Sequence, residues 1–432
     1  MKAIKLFKGV ITLLSLQGIL MSAQIKHIDI NNTKIPVIFE KQTSLPILNM
    51  QLVFQNSGSV QDKDLNGIAS FSAKLLNEGT KTLGSTKFAS KLESNAISLN
   101  VANGFETFVI ELSTLKEVNN KAFKLLKKLL EDPNYDKDVV EKIKTIQIGS
   151  LKRKQNDYDY VARNQLKEIL FKGTALQHPT SGTIESISKI KLKNIKEFIN
   201  NTFNLSNLII VAGGDIEFKE LEQRLKILLD SIPTKGKKEL KRVEILAKPT
   251  TKELVKPTEQ AYIYFGSKFN AQTQDEDNYK AKVASFILGG SGFGSRLMEE
   301  IRVKRGLAYS AYGYVSINKS HSYFTGYLQT KLESAKEAQE LVSKIVKDFV
   351  KKGVTQEELD AAKNFLTGSE PLRTETLSQR LNRAFNLYYK GLKQDYPQKE
   401  LEKIQNLKLE ELNDYIKSHE EIVDLSFSIV RK

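Results

Sequence analysis

Leu288-Gly289-Gly290-Ser291-Gly292-Phe293-Gly294-Ser295-Arg296-Leu297-Met298-Glu299-Glu300-Ile301-Arg302-Val303-Lys304-Arg305-Gly306-Leu307-Ala308-Tyr309 runs from a glycine-rich loop through a helix into a strand. The glycines end where an apolar helical period begins, so a helix is predicted from Gly294 to Lys304, and after Gly306 the alternation predicts a strand from Ala308 to Ile317. Gly290, Gly292 and Gly294 by themselves suggest a phosphate loop. No Lys-Ser/Thr follows them, and no strand-helix-strand unit with a later ribose-binding acid surrounds them, so a nucleotide site is not supported.

Outward from this element, strands are predicted at Gln260 to Phe265 and Tyr323 to Leu328, a helix at Tyr279 to Leu288, then long helices and a last strand from Ile422 to Ile429. The same order occupies the first half. Strand patterns at His27 to Ile30 and Ile35 to Phe39 flank Asn31-Asn32, and Leu45 to Phe54 follows. After helical segments around Phe71 and Phe88 come two alternating runs, Ile97 to Val101 and Thr107 to Leu112. Helices from Asn119 to Leu130, Tyr135 to Phe171 and Ile190 to Ile199, a strand from Asn207 to Val211 and a helix from Phe218 to Leu229 complete it. Between the halves, Pro233 to Thr258 is rich in Lys, Pro and Thr and reads as a linker. The fold class is therefore α+β: two similar domains, residues 24–232 and 259–432, antiparallel-rich sheets packed with helices and related by internal duplication.

In the first half, Gly67-Ile68-Ala69-Ser70-Phe71-Ser72-Ala73-Lys74-Leu75-Leu76-Asn77-Glu78-Gly79-Thr80 resembles the signature of the insulinase-like (inverted zincin) zinc peptidases. There a Gly-x-Ala turn precedes His-x-x-Glu-His on a helix, and Gly-Thr closes it. Positions i, i+3 and i+4 share one helix face, which is how two imidazoles reach zinc and a glutamate reaches the zinc-bound water. Here those positions hold Ser70, Ala73 and Lys74, none of which supplies an imidazole or a carboxylate. The family's third ligand, a glutamate further along the chain, falls near Gly149 to Leu151. From Lys142 to Asn156 there is no acidic residue. His27, His178, His321 and His419 show no metal-ligand spacing either, so the expectation is no catalytic residue, no metal and no cofactor in this chain.

The glycine loop, helix and strand of the second half are similar to the same family's Arg/Tyr element almost residue for residue. The resemblance implies that Arg302 and Tyr309 bind substrate backbone near the scissile carbonyl, both being hydrogen-bond donors suited to a developing oxyanion. Arg296 and Arg305 read as structural. Two-chain members of the family divide the site, one chain holding zinc and the other presenting the Arg/Tyr pair. The resemblance therefore implies a non-catalytic subunit with a zinc-loaded partner and a peptide or unfolded polypeptide as substrate. A scaffold protein of the same fold with no protease role is the second reading. A third, a Ser70–Lys74 nucleophile pair, requires a buried lysine of lowered pKa.

Three lysines ahead of an apolar stretch from Gly9 to Met21, then Ser22 and Ala23, predict a signal peptide over residues 1–23, with export to a bacterial periplasm. The chain has no cysteine, so neither disulfides nor a Cys-linked lipid apply. Its net charge of +15 falls to +12 without Lys2, Lys5 and Lys8. That excess is dispersed and accompanies no nucleic-acid module, which excludes nucleic acid as the expected partner and leaves an acidic protein surface.

Overall fold

The computed structural model describes residues 23–245 and 248–432; all of the expected leader but Ala23 lies outside them. Strands β1 (Gln24–Ile30) and β2 (Thr33–Lys41) form a hairpin. Its turn residues Asn31 and Asn32 both have positive φ, 49° and 60°, as a two-residue hairpin turn needs. Strand β3 (Ile47–Gln55) is followed by helices α1 (Ile68–Leu76) and α2 (Gly84–Glu93), then β4 (Ser98–Asn103) and β5 (Thr107–Leu115). Next come α3 (Asn119–Glu131), α4 (Lys137–Lys154), α5 (Tyr158–Leu170), α6 (Ile184–Lys189), α7 (Leu192–Thr202), β6 (Leu208–Gly214) and α8 (Phe218–Leu229). The segment from Tyr135 to Phe171, expected as one helix, is two. Helix α4 ends at Lys154, and Asp157 caps α5, accepting the Tyr160 N–H at 3.1 Å.

The second half holds β7 (Thr251–Val255), β8 (Gln260–Lys268), α9 (Asn278–Ser285), α10 (Arg296–Met298), β9 (Ala308–Ile317) and β10 (Ser322–Lys331). Helices α11 (Ala335–Lys352), α12 (Gln356–Gly368), α13 (Leu377–Lys390), α14 (Tyr396–Asn406) and α15 (Leu409–Ser418) precede β11 (Ser426–Arg431). Strand β7 lies inside the passage read as linker. The passage is anchored at two further points: Asn207 and Asn56 bond the Lys238 backbone at 3.0 and 2.7 Å, and the Val243 N–H reaches Ser320.

Strand order makes the duplication explicit. The first sheet runs β1-β2-β6-β3-β5-β4 and the second β7-β11-β8-β10-β9. Set β2 to β6 against β7 to β11 and the orders are the same. The pairing senses match too, since β2–β6 and β7–β11 are parallel and every other pair is antiparallel. Only β1 is additional. One face of each sheet buries the large apolar cluster of its own half, around Phe54, Phe71 and Phe108 in the first and Phe265, Phe324 and Phe349 in the second.

The other face of each sheet is covered by a helix from the opposite half. Helix α5 of the first half lays Ala162, Leu166 and Leu170 against Tyr264 of β8 and Val430 of β11. Gly266 admits it, because a Cβ there lies only 3.1 Å from a Leu170 methyl. Reciprocally, α13 of the second half lays Leu377, Leu381 and Ala384 against Ile38, Val53, Ile209 and Val211 of the first sheet. Its Arg380 donates to the buried Glu40 of β2 at 2.7 and 2.8 Å. Each is the third helix after its half's fourth paired strand, so the exchange obeys the duplication.

Candidate functional site

Helix α1 begins at a constructed corner. Gly67 has φ 90°, and a Cβ on it lies 2.7 Å from the Cα of Gly182. The first helical N–H groups are satisfied by Asp62, which accepts from Gly67 at 2.7 Å and Ala69 at 3.0 Å. Burial pushes the Asp62 carboxyl up to about 7, against the opposing pull of those two bonds. At the far end Gly79, φ 78°, lies against the Phe88 ring, and the buried Thr80 hydroxyl accepts the Leu83 N–H. The glycines of the motif are therefore kept by packing, whatever chemistry the helix carries.

On α1, Ser70, Ala73 and Lys74 share a face that meets α4. Ala73 is buried, while Ser70 and Lys74 are half-buried. The position expected for the third ligand on α4 is occupied around Gly149, whose missing side chain faces only Arg153 at 3.7 Å. Among the described residues no group of three or more His, Cys, Asp or Glu is placed to hold a metal ion. A hydroxyl, a methyl and an ammonium do not fit zinc, and the ammonium puts positive charge where the cation belongs. Burial, and then the charge of Lys154, hold Lys74 below the usual lysine range. That is the electrostatic condition for a nucleophile pair, but among the described residues no hydrogen bond joins Ser70 to Lys74.

In the second half the chain widens into π turns on both sides of the glycine loop. Ser291 N–H bonds back to Phe286 at 3.2 Å and Lys304 N–H to Glu299 at 2.9 Å, so the expected helix from Gly294 to Lys304 is one α turn followed by a π turn. Ser295 closes the loop, its hydroxyl donating to Gly292 at 2.7 Å. Arg302 projects from the second π turn, and its guanidinium lies 4.4 Å from the centre of the Tyr309 ring at the start of β9. The structure thus brings Arg302 and Tyr309 together. It also adds Phe293, which reasoning from sequence passes over: its ring lies 4.6 Å from the guanidinium on the tip between Gly292 and Gly294. An aromatic flanked by two glycines, Gly292-Phe293-Gly294, was the available signal.

Tyr309 is 81% exposed and Phe293 66%, so the stack faces outward. Its cation makes no side-chain hydrogen bond or ion pair among the described residues. Arg296 behaves differently, held by Glu358 at 2.6 Å and by the Gly353 carbonyl at 2.7 Å, and Arg305 pairs with Glu300 at 2.6 Å. Both are structural. Arg302 and Tyr309 lie in the second half and Ser70, Ala73 and Lys74 in the first, and no hydrogen bond or ion pair among the described residues links the two sets.

Residues 37–184 match the family described as Insulinase (Peptidase family M16), and residues 189–366 match the one described as Peptidase M16 inactive domain. The chain is 46% identical over 426 residues to the Non-peptidase homolog YmxG of Helicobacter pylori, spanning 98% of each. A solved peptidase M16 inactive domain from Pseudomonas fluorescens is similar with a TM-score of 0.85 at 24% identity, over 94% of this chain and 98% of that one. A chain of Complex III2 from Candida albicans is similar with a TM-score of 0.77 at 16% identity, over 94% and 96%. This chain belongs to the insulinase family of peptidases, family M16, as a non-catalytic member whose helix α1 keeps the frame of the zinc motif without its ligands.

Proposed function

We propose that this chain is an exported, non-catalytic subunit that completes the peptide site of a zinc-loaded family member, contributing Arg302 and Tyr309. The observation that carries this reading is the Arg302 guanidinium on the exposed Tyr309 ring, 4.4 Å from its centre, in a chain with no metal-holding group among its described residues. The guanidinium lies close to both the Phe293 and Tyr309 rings and makes no side-chain hydrogen bond among the described residues, so its N–H groups are available to a peptide carbonyl and its developing negative charge. The substrate is an extended peptide held by its backbone, and the partner activates the water. Among the described residues no helix is long and apolar enough to cross a membrane.

A second reading, a scaffold subunit with no protease role, is favoured by the likeness to a chain of Complex III2. Reconstitution separates the two. The purified chain is expected to hold no stoichiometric zinc and to show no chelator-sensitive cleavage alone. Combined with a zinc-motif family member from the same source, it is expected to raise peptide turnover. Arg302→Ala lowers that turnover by about 100-fold and Tyr309→Phe by about 10-fold, with assembly intact. One tightly bound zinc per chain defeats the reading, and so does unchanged turnover in both variants.

A further inference from the structure

The lysine that replaces the second imidazole of the zinc motif is part of a larger cluster. Lys74 lies within reach of the charge of Lys154, at the end of α4. The Lys154 ammonium sits 4.8 Å from the centre of the Tyr160 ring on α5, and the Arg163 guanidinium is 5.9 Å from the same ring. One turn along α5, Lys167 feels the charge of Arg163. Helix α1 packs on α4 and α4 on α5, so three helices bring these four cations along one seam.

None of the four is in an ion pair among the described residues, whereas lysines elsewhere commonly are. Among the described residues no acid lies within ion-pair distance of the four, and those near them in the chain have other hydrogen-bond or ion-pair partners. Asp157 accepts the Tyr160 N–H at 3.1 Å, Asp159 accepts the Tyr264 hydroxyl at 2.9 Å, Glu168 pairs with Lys252 at 3.5 Å and Glu78 with Lys142 at 2.9 Å. Favourable charge at a helix C-terminus accounts for Lys152, Arg153 and Lys154 on α4. Lys74 and Lys167 likewise lie in the last turns of α1 and α5, but a C-terminal position does not account for Arg163 in the middle of α5. Converging like charges are costly unless a counter-charge arrives from another molecule.

We infer that this seam, formed by Lys74, Lys154, Tyr160, Arg163 and Lys167 where α1, α4 and α5 meet, binds polypeptide segments carrying two or more Asp or Glu side chains. Ser70, Ala73 and Gly149 are small, so the site's long side chains are cationic. Both cations nearest Tyr160 lie over its ring, which leaves it a poor platform for a nucleobase and favours a peptide over single-stranded nucleic acid. The site is distinct from the Arg302–Tyr309 stack and requires no partner subunit, so it is testable on the chain alone.

The test is fluorescence anisotropy of the purified full chain with a labelled decapeptide of alternating Asp and Ala, against the same peptide with Asn for Asp. The Asp peptide is expected to bind at least ~10-fold more tightly, and its affinity to fall as salt is raised. Lys74→Met and Arg163→Gln should each weaken it by ~5-fold or more, while Lys336→Gln, on the exposed surface of α11, leaves it within ~2-fold. Should Lys74→Met fail to fold, Lys154→Gln gives the same reading. Equal binding of the Asp and Asn peptides overturns the inference. It is equally overturned if the Lys336 variant matches the others, or if a mixed-sequence oligonucleotide displaces the peptide at lower concentration than unlabelled peptide does.

Discussion

At the scale of single residues, the motif helix separates two kinds of constraint that an active enzyme superimposes. Gly67, Gly79 and Thr80 are held by φ and by close contacts, so they persist in a chain without zinc ligands. Ser70 and Lys74 are half-buried and occupy positions free to change once zinc is not held, whereas Ala73 also packs in the core. Gly67→Ala is expected to destabilise the protein by about 2 to 4 kcal/mol in denaturant unfolding, because its Cβ meets Gly182 in a left-handed conformation. A loss under ~0.5 kcal/mol contradicts that account. The glycine frame was legible because it is local. Asp62 was not, since nothing in Asp62-Lys63-Asp64 says which carboxylate turns back onto a helix that starts six residues later.

Among secondary-structure elements, the strands other than β7 and the likeness of the halves were readable from alternation, but the covering of each sheet was not. Helix α5 has an apolar stripe of Ala162, Leu166 and Leu170 like any amphipathic helix, and a stripe does not name its target. It crosses to β8 and β11 while α13 crosses back to β2 and β6, so neither sheet is covered on both faces by its own half. The halves should therefore unfold together. Leu166→Ala, at a site only 2% exposed, is expected to cost about 2 to 4 kcal/mol and to shift one cooperative transition followed by both tyrosine fluorescence and far-UV circular dichroism. Two separated transitions, with the second sheet melting first, rule out this coupling.

At the scale of the molecule, the β4–β5 and β9–β10 turns meet where the halves join. Glu106 accepts the Ser320 N–H at 2.8 Å and the Tyr389 hydroxyl at 2.6 Å, and Ser320 Oγ lies 2.7 Å from His321 Nδ1. The His321 ring packs among Phe105, Phe171 and Tyr323. Burial brings its pKa from 6.5 down to about 4, with Glu106 opposing and Lys167 and Arg242 reinforcing the fall. A depressed folded-state pKa gives stability that is present above 6.5 and lost as pH falls towards 4. Between pH 7 and 5 this amounts to about 2 kcal/mol. Asp62, raised to about 7, acts in the opposite sense over the same interval, so the measurement is a comparison of variants. Relative to the parent, His321→Gln should lose about 2 kcal/mol less on going from pH 7 to 5, and parallel pH profiles would falsify the assignment.

The sequence by itself determined the α+β class, the recurrence of two similar halves and the loss of the zinc ligands. These depend on the period of apolar residues and on which side chains occupy fixed helical positions, and both are local. Tertiary structure alone decided that the third helix of each half covers the other sheet, that the Lys-rich passage after Ile232 is anchored and includes β7, and that Phe293 joins Arg302 and Tyr309. It also decided that Lys74, Lys154 and Arg163 converge. Each depends on side-chain packing between separate elements, which one-dimensional periodicity does not encode.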